Sequence, residues 1–143
     1  MSDALNAEGG CYCGAVRFEV SGSPVMKAQC HCRPCQYITG GGPNYFLIVP
    51  ENAYRFTQGA PATFERSDLD NPRLREFCAT CGTHLTTRIR ERGLVVVKVG
   101  TFDDPQTAYG GPDMAIHCQE IPAFHAIPDG LPAFNTLPPR PGE

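Results

Sequence analysis

Cys11-Tyr12-Cys13 and Cys78-Ala79-Thr80-Cys81-Gly82 are the most informative stretches of this 143-residue chain. Each stretch carries two cysteines at a spacing that lets one tight turn present both sulfurs to a single ion. Gly82 can take the positive φ that such a turn often needs. Joining the two pairs closes a loop of about 65 residues, and a metal clip contributes most to such long closures. We therefore predict a structural metal site formed by Cys11, Cys13, Cys78 and Cys81.

A further cluster, Cys30-His31-Cys32-Arg33-Pro34-Cys35, places three cysteines within one short run. Four thiolates complete a tetrahedral zinc shell, whereas three leave one position open, and this difference separates structural from catalytic zinc. The seven clustered cysteines therefore predict two zinc ions per chain, the second one held by Cys30, Cys32 and Cys35. An open position would let that ion bind an external thiol and lower its pKa. A distant fourth ligand, either Cys118 or a histidine, would instead close the site and make it structural.

Disulfides and redox chemistry are the alternative interpretations of the eight cysteines. Residues 1–10 have neither the basic nor the apolar region of a secretory signal, so we expect a cytoplasmic protein, where disulfides are rare. Neighbouring cysteines such as Cys30 and Cys32 are also too close to bridge comfortably. The usual βαβ setting of a redox C-x-x-C pair is missing around Cys78 and Cys81. Metal binding is therefore the favoured interpretation.

The charge pattern limits the partners that this chain can bind. The formal net charge is −3, and the sequence has no run of lysines and arginines. It therefore lacks the electrostatic footprint of a nucleic-acid binder and a basic patch for anionic lipid. No run approaches the roughly 18 apolar residues that a membrane span needs. We expect small molecules or other proteins as partners, and neither nucleic acid nor a membrane.

Fourteen prolines and fifteen glycines leave little room for a long helix. Between them lie short runs rich in strand-forming residues, which alternate in polarity at 16–20 and are nearly all apolar at 94–99. The predicted strands cover residues 16–20, 45–49, 62–66, 84–88 and 94–99. We predict one all-β domain over residues 1–137, with at most a helical turn after Cys32 and another near Pro105. Residues 138–143 are predicted to be a frayed tail.

The remaining polar residues are assigned weaker roles. Neighbouring residues of an extended run face opposite ways, so His31 is expected beside the metal site or on the surface rather than on the metal. His84, His117 and His125 are expected to be hydrogen-bonded or surface residues rather than bases. Arg33 is either an exposed arginine or a partner for a substrate carboxylate. Residues 40–42, all glycine, can let the backbone approach a ligand closely. Cys118 stands alone in the sequence and is expected to behave as a small buried hydrophobe that ligates no metal.

The three cysteine clusters and their flanking residues resemble the glutathione-dependent formaldehyde-activating enzyme family, which includes the centromere protein V type. The matching stretches are residues 10–18, 30–35, 77–85 and 99–105, with His117 and 131–134 near the end. This resemblance implies a β-tent of short antiparallel strands stapled by zinc. It implies structural zinc on Cys11, Cys13, Cys78 and Cys81, and catalytic zinc on Cys30, Cys32 and Cys35. Relatives tend to carry tryptophans near the C-terminus, and Phe124 takes one such aromatic position in this tryptophan-free chain.

The family's namesake activity adds glutathione to formaldehyde and gives S-hydroxymethylglutathione. The resemblance therefore favours a cytoplasmic two-zinc carbon–sulfur lyase that joins a small thiol to a small carbonyl compound. The alternative is a zinc-stabilised β-tent that acts as a binding or chaperone module, with both metal sites closed. Chromatin binding, which the centromere protein branch raises, is disfavoured by the acidic charge. The fourth ligand of the second metal discriminates between the enzyme and the module.

Overall fold

The computed structural model describes residues 4–139, which consist mostly of short strands. These residues form two compact units: the first contains 4–26 and 47–110, and the second contains 27–46 and 111–139. No helix in the described range 4–139 is long and apolar enough to span a membrane. A single domain over 1–137 stays a prediction. Of the predicted tail at 138–143, residues 140–143 lie outside the described part of the chain.

Ten strands and two short α-helices make up the described fold. The strands are β1 (Leu5–Gly10), β2 (Arg17–Gly22), β3 (Met26–Cys30), β4 (Asn44–Pro50), β5 (Tyr54–Gln58), β6 (Ala62–Phe64), β7 (Leu74–Phe77), β8 (His84–Ile89), β9 (Leu94–Lys98) and β10 (Met114–Ile116). The helices are α1 (Arg33–Thr39) and α2 (Pro105–Ala108). Single 3-10 turns occupy Glu51–Ala53, Arg90–Arg92, Val99–Thr101 and Cys118–Glu120.

Two sheets build the first unit. One has the antiparallel order β1-β2-β5, and its β1–β2 hairpin pairs Leu5 with Gly22 and Gly10 with Arg17. The other runs β4-β9-β8-β7-β6, with antiparallel pairing from β9 to β6. The chain therefore reverses direction between β1 and β2, and again between β7 and β8. Each of these two reversals carries one of the predicted cysteine pairs.

The core of the first unit is aromatic and aliphatic. Phe18 stacks on Tyr54 with 4.9 Å between the ring centroids, and its edge meets Phe102 at 5.6 Å. Side chains of this size each contribute about 1.5–3 kcal/mol when fully buried. Cys11 and Cys78 belong to the same buried cluster. Burial in the core therefore fixes one cysteine of each pair.

The second unit is built around a parallel pair of strands. β10 runs parallel to β3, with Met114 opposite Ala28 and Ile116 opposite Cys30. The chain leaves β3 at Cys30 and enters α1 after two residues. Cys32 is the N-cap residue of α1, a proline follows in its first turn, and Gly40 ends it at φ +83°. A glycine suits this left-handed position because it has no Cβ.

The observed elements confirm the predicted predominance of strands, whereas the β-tent arrangement stays a prediction. Every predicted strand is present, although the run predicted at 62–66 ends at Phe64. A helical turn near Pro105 is confirmed as α2, but the expectation of at most one turn after Cys32 is wrong, because α1 spans seven residues. β1, β3, β5, β7 and β10 were not predicted. β1 and β3 contain no β-branched residue, and their strand conformation depends on pairing with distant partners.

A substitution at Gly9 tests the close contact between β1 and residues 101–102, which follow β9. A Cβ added there would lie 2.2 Å from the Thr101 carbonyl oxygen and 2.5 Å from Phe18 Cζ. Because backbone cannot move aside cheaply, we expect Gly9→Ala to lower the free energy of unfolding by about 1–3 kcal/mol. Denaturant unfolding of the metal-loaded protein measures the change. Gly100→Ala is the matched control, since no neighbouring atom of the described residues lies within 4 Å of its added Cβ. Equal stability of the two variants would contradict this packing.

Candidate metal centres

The Cys11–Cys13 and Cys78–Cys81 pairs lie in two turns of similar construction. In the β1–β2 turn, the backbone N–H of Cys11 donates to the Val16 carbonyl at 3.0 Å. In the β7–β8 turn, the N–H of Cys78 donates to the Thr83 carbonyl at 2.9 Å. Gly82 has a φ of +80°, as predicted for this turn. Each turn is thus closed by its own hydrogen bonds, and its two sulfurs are held on a short, fixed loop.

The four sulfurs of these turns lie within 4.8 Å of one another. Cys13 Sγ is 3.6 Å from Cys11 Sγ and 3.8 Å from Cys78 Sγ. Tetrahedral zinc with bonds of about 2.3 Å would hold sulfurs about 3.8 Å apart, whereas a disulfide needs about 2 Å. Within residues 4–139, which include all eight cysteines, no disulfide is formed. The cluster therefore has dimensions that fit one tetrahedral metal ion, and the disulfide alternative is not observed.

Backbone and hydroxyl groups surround these sulfurs. The N–H of Val16 donates to Cys11 Sγ at 3.2 Å, and donors of this kind favour the thiolate form. Thr83 Oγ1 lies 3.1 Å from Cys81 Sγ, and the hydrogen bond with this hydroxyl helps to lower the pKa of Cys81 to about 5. The same oxygen accepts the N–H of Tyr12 at 3.0 Å. Thr83 therefore connects the two turns independently of any ion, a role that the sequence pattern did not reveal.

Cys30, Cys32 and Cys35 form the second cluster. Their sulfurs also lie within 4.8 Å of one another, and no fourth cysteine, histidine, aspartate or glutamate within 4–139 joins the group. Cys30 ends β3, Cys32 caps α1, and Cys35 lies in the first turn of that helix. Cys30 and Cys35 are buried. The strand end and the helix start thus place three sulfurs around one point.

The chemistry of this donor set favours a bound cation. The neighbouring thiols of Cys32 and Cys35 raise the pKa of Cys30, and burial raises it further. Three thiolates this close repel one another, and a cation offsets that repulsion. Two donors already point at the sulfurs: the N–H of Cys35 lies 3.4 Å from Cys32 Sγ, and Asn44 Nδ2 lies 3.5 Å from Cys35 Sγ. Asn44 is only 4% exposed, so this contact is fixed by packing.

His31 lies between two of these cysteines, but its ring faces a different set of partners. Gln29 Nε2 lies 3.0 Å from His31 Nε2 and also donates to the Ala126 carbonyl at 3.2 Å, which fixes the amide as a donor. His31 Nε2 is therefore an acceptor, and its Nδ1 donates to His125 Nδ1 at 2.9 Å. His125 Nε2 then donates to the Gly41 carbonyl at 2.6 Å. These contacts form one directional chain of two neutral imidazoles.

A protein family and individual known proteins are similar to this chain. The family model described as glutathione-dependent formaldehyde-activating enzyme matches residues 6–120. The chain belongs to this family. The resemblance seen in the cysteine clusters is therefore confirmed, and the match includes all seven clustered cysteines.

A relative and a solved structure are also similar to this chain. A curated protein of Halomonas elongata, named as a proposed glutathione-dependent formaldehyde-activating enzyme, is 35% identical over 83 residues. That alignment covers 54% of this chain and 53% of the relative, so the chain spans about half the length of the curated relative. The crystal structure of a Rhodobacter sphaeroides protein has a TM-score of 0.55 at 21% identity, covering 70% of this chain and 93% of that one. At this identity the likeness shows the fold alone.

His31, His84 and Cys118 lie outside both sulfur groups. His31 is fully buried and bonded to two side chains, which agrees with its expected place beside the cluster rather than in it. Burial, followed by the lysine and arginine charges of Lys98 and Arg75, lowers the pKa of His84 to about 4. Cys118 joins neither sulfur group and is half-buried rather than buried as predicted. Its lack of metal binding stays a prediction.

Residues 40–42 and Phe124 both have contacts with His125 or lie next to residues that do. Gly40 ends α1, and Gly41 offers its carbonyl to His125. Among residues 4–139, neighbours in sequence aside, no atom comes within 4 Å of a Cβ added at 40, 41 or 42, so their expected role in ligand approach stays a prediction. Phe124 is exposed, with its ring edge-on to the His125 ring. It therefore stands next to the histidine chain.

Removing one sulfur of the first cluster tests its structural role. Cys78 is buried in the core, and we expect Cys78→Ala to lose one of two metal ions. It should also lower the free energy of unfolding by more than about 3 kcal/mol, since binding energy at a structural site is folding energy. Elemental analysis and denaturant unfolding measure both effects. Cys118→Ala is the control and should keep two metals. A Cys78→Ala protein with parental stability would refute the structural assignment.

Proposed function

We propose that this protein is a two-zinc enzyme of the carbon–sulfur lyase type, which adds a small glutathione-like thiol to a small formaldehyde-like carbonyl compound. Cys30, Cys32 and Cys35 would hold the catalytic zinc. The observation that carries this proposal is the second cluster, in which three sulfurs converge and no fourth ligand residue of 4–139 joins them. Family membership and the name of the Halomonas relative support the choice of thiol and carbonyl compound.

The first cluster would hold a structural zinc on Cys11, Cys13, Cys78 and Cys81. Its four sulfurs complete a tetrahedral shell, so no position remains for a substrate. The two turns that carry it belong to different sheets of the first unit. A metal bound there would tie the sheets together at their turns, and its binding energy would add to the stability of the fold.

The reaction itself is an addition. A bond forms between the thiol sulfur and the carbonyl carbon, the π bond of the carbonyl opens, and the thiol proton ends on the carbonyl oxygen. Zinc at the second cluster would lower the pKa of the incoming thiol and polarise the carbonyl oxygen. The N–H of Cys35 and the amide of Asn44 donate to ligand sulfurs and stabilise their thiolate form.

His31 has a positioning role in this proposal. Both of its ring nitrogens are already hydrogen-bonded, to Gln29 and to His125, and the ring is fully buried. A buried imidazole with no free lone pair is poorly suited to accept the proton of a substrate thiol. The ring instead fixes the segment between Cys30 and Cys32, whose backbone carbonyl at His31 also accepts a hydrogen bond from Gln36.

The proposal extends to the setting of the reaction. We expect a single β-tent domain over 1–137 in the cytoplasm, acting on small molecules without nucleic-acid or membrane partners. The acidic net charge of −3 supports the exclusion of nucleic acid. The alternative, a zinc-stabilised binding or chaperone module, requires a fourth protein ligand at the second cluster.

Thiol binding tests the proposed function. We expect zinc-loaded wild-type protein to bind glutathione in a calorimetric titration, and mixing with formaldehyde should then yield S-hydroxymethylglutathione, detected by NMR. Cys32→Ala should lose one zinc and the thiol binding but keep most of the fold, because three ligands within one short run tie down only a local loop. Cys118→Ala should bind thiol like the parent. Fully metallated wild-type protein that binds no thiol would contradict the enzyme and favour the module.

A further inference from the structure

Arg33 is the first residue of α1 and directly follows Cys32. Its side chain is exposed, and it is the neighbour in sequence of a predicted ligand of the second cluster. Its backbone N–H donates to Glu120 Oε1 at 3.1 Å. The Glu120 carboxylate therefore bonds the backbone of Arg33 and not its charged group.

The guanidinium of Arg33 is held in place by its own helix. Nη1 donates to Gln36 Oε1 at 2.5 Å, and the guanidinium carbon lies 5.0 Å from the centre of the Tyr37 ring. Residues three and four positions apart on a helix are neighbours, so this placement follows from the sequence Arg33-Pro34-Cys35-Gln36-Tyr37. Cation–π contact with the ring adds to the hydrogen bond.

Gln36 cannot turn its amide away from Arg33 without cost. It is buried, and its Nε2 donates to the His31 carbonyl at 3.1 Å. The amide nitrogen is thus committed to the backbone, and Oε1 is left to face Arg33. An arginine held this way loses little side-chain entropy when it binds a ligand.

The positive charge of Arg33 is not neutralised by the described residues. Six arginines within 4–139 form ion pairs with carboxylates, and all six lie in the first unit. Arg33 is not among them. Its Nε and Nη2 donate to no atom of residues 4–139, so this edge presents two parallel N–H groups.

We propose that Arg33 is a specificity-determining residue that binds a carboxylate of the thiol substrate through its Nε–Nη2 edge. Two parallel N–H donors match the two oxygens of a carboxylate, and a guanidinium held in advance makes this contact at low entropic cost. The inference rests on the proposed function, because it assumes that a thiol binds at Cys30, Cys32 and Cys35. It adds that the enzyme selects thiols bearing a carboxylate over neutral ones.

Comparing the affinities of two thiols distinguishes a carboxylate contact of Arg33 from a general effect of the substitution on thiol binding. Glutathione carries carboxylates and 2-mercaptoethanol carries none, so calorimetric dissociation constants of both are measured on zinc-loaded protein. We expect Arg33→Gln to weaken glutathione binding by about tenfold or more, since a charge-assisted bidentate contact is lost. Binding of 2-mercaptoethanol should stay within about twofold, because it makes no such contact. Arg33→Lys should recover part of the glutathione affinity, since lysine keeps the positive charge but lacks the two parallel N–H donors of the guanidinium.

Controls keep the possible outcomes distinct. Zinc content is measured for each variant, and Arg66→Gln, which removes an exposed arginine of the first unit, should leave both affinities unchanged. If wild type binds both thiols and Arg33→Gln leaves their ratio unchanged, the role of Arg33 is wrong while the proposed function stands. If Arg33→Gln loses zinc, Arg33→Lys decides: a preference for glutathione that falls below the parental value supports the proposal, and a parental preference overturns it. Wild-type protein that binds neither thiol would overturn both proposals.

Discussion

Four cysteine sulfurs from two hairpin turns lie in contact, and this contact joins the two sheets of the first unit. Cys11 and Cys78 lie in the apolar core, while Cys13 and Cys81 lie at the exposed side of the same cluster. The sheets that supply the turns share no strand within this unit. Thr83 adds one direct hydrogen bond between the turns, which alone is worth about 1 kcal/mol. A metal ion bound by all four sulfurs would therefore be the main polar contact that joins them.

The sulfurs of the second cluster are supplied in a different way. Its three sulfurs come from one strand end and one helix start, so they restrain only a few residues of chain. Neighbouring residues hold the three cysteines in place. Asn44 donates to Cys35, and the hydrogen-bonded chain from Gln29 through His31 to His125 fixes the backbone between Cys30 and Cys32. Every bond of that chain has one donor and one acceptor when both histidines are neutral. This consistency is what a pre-organised ligand set requires.

Sequence reasoning could predict what is local in this protein. The cysteine spacings are short, so the turns around Cys11 and Cys78 followed directly from them, as did the positive φ of Gly82. The partners of His31 could not be predicted, because His125 is 94 positions away and no periodic pattern connects the two. β1 and β3 were missed for a related reason: Leu-Asn-Ala-Glu-Gly-Gly and Met-Lys-Ala-Gln-Cys carry weak local strand signals, and their strand conformation depends on pairing with β2 and β10.

The two proposed metals differ in that one would be fully enclosed by protein sulfur and the other would not. A crystal structure of the metal-loaded protein, with data collected on both sides of the zinc absorption edge, would show this difference. We expect two anomalous peaks of zinc, one within bonding distance of four cysteine sulfurs. The other should contact the sulfurs of Cys30, Cys32 and Cys35 and one water or small-molecule ligand. A single peak, or a protein side chain as the fourth ligand of the second ion, would contradict this expectation.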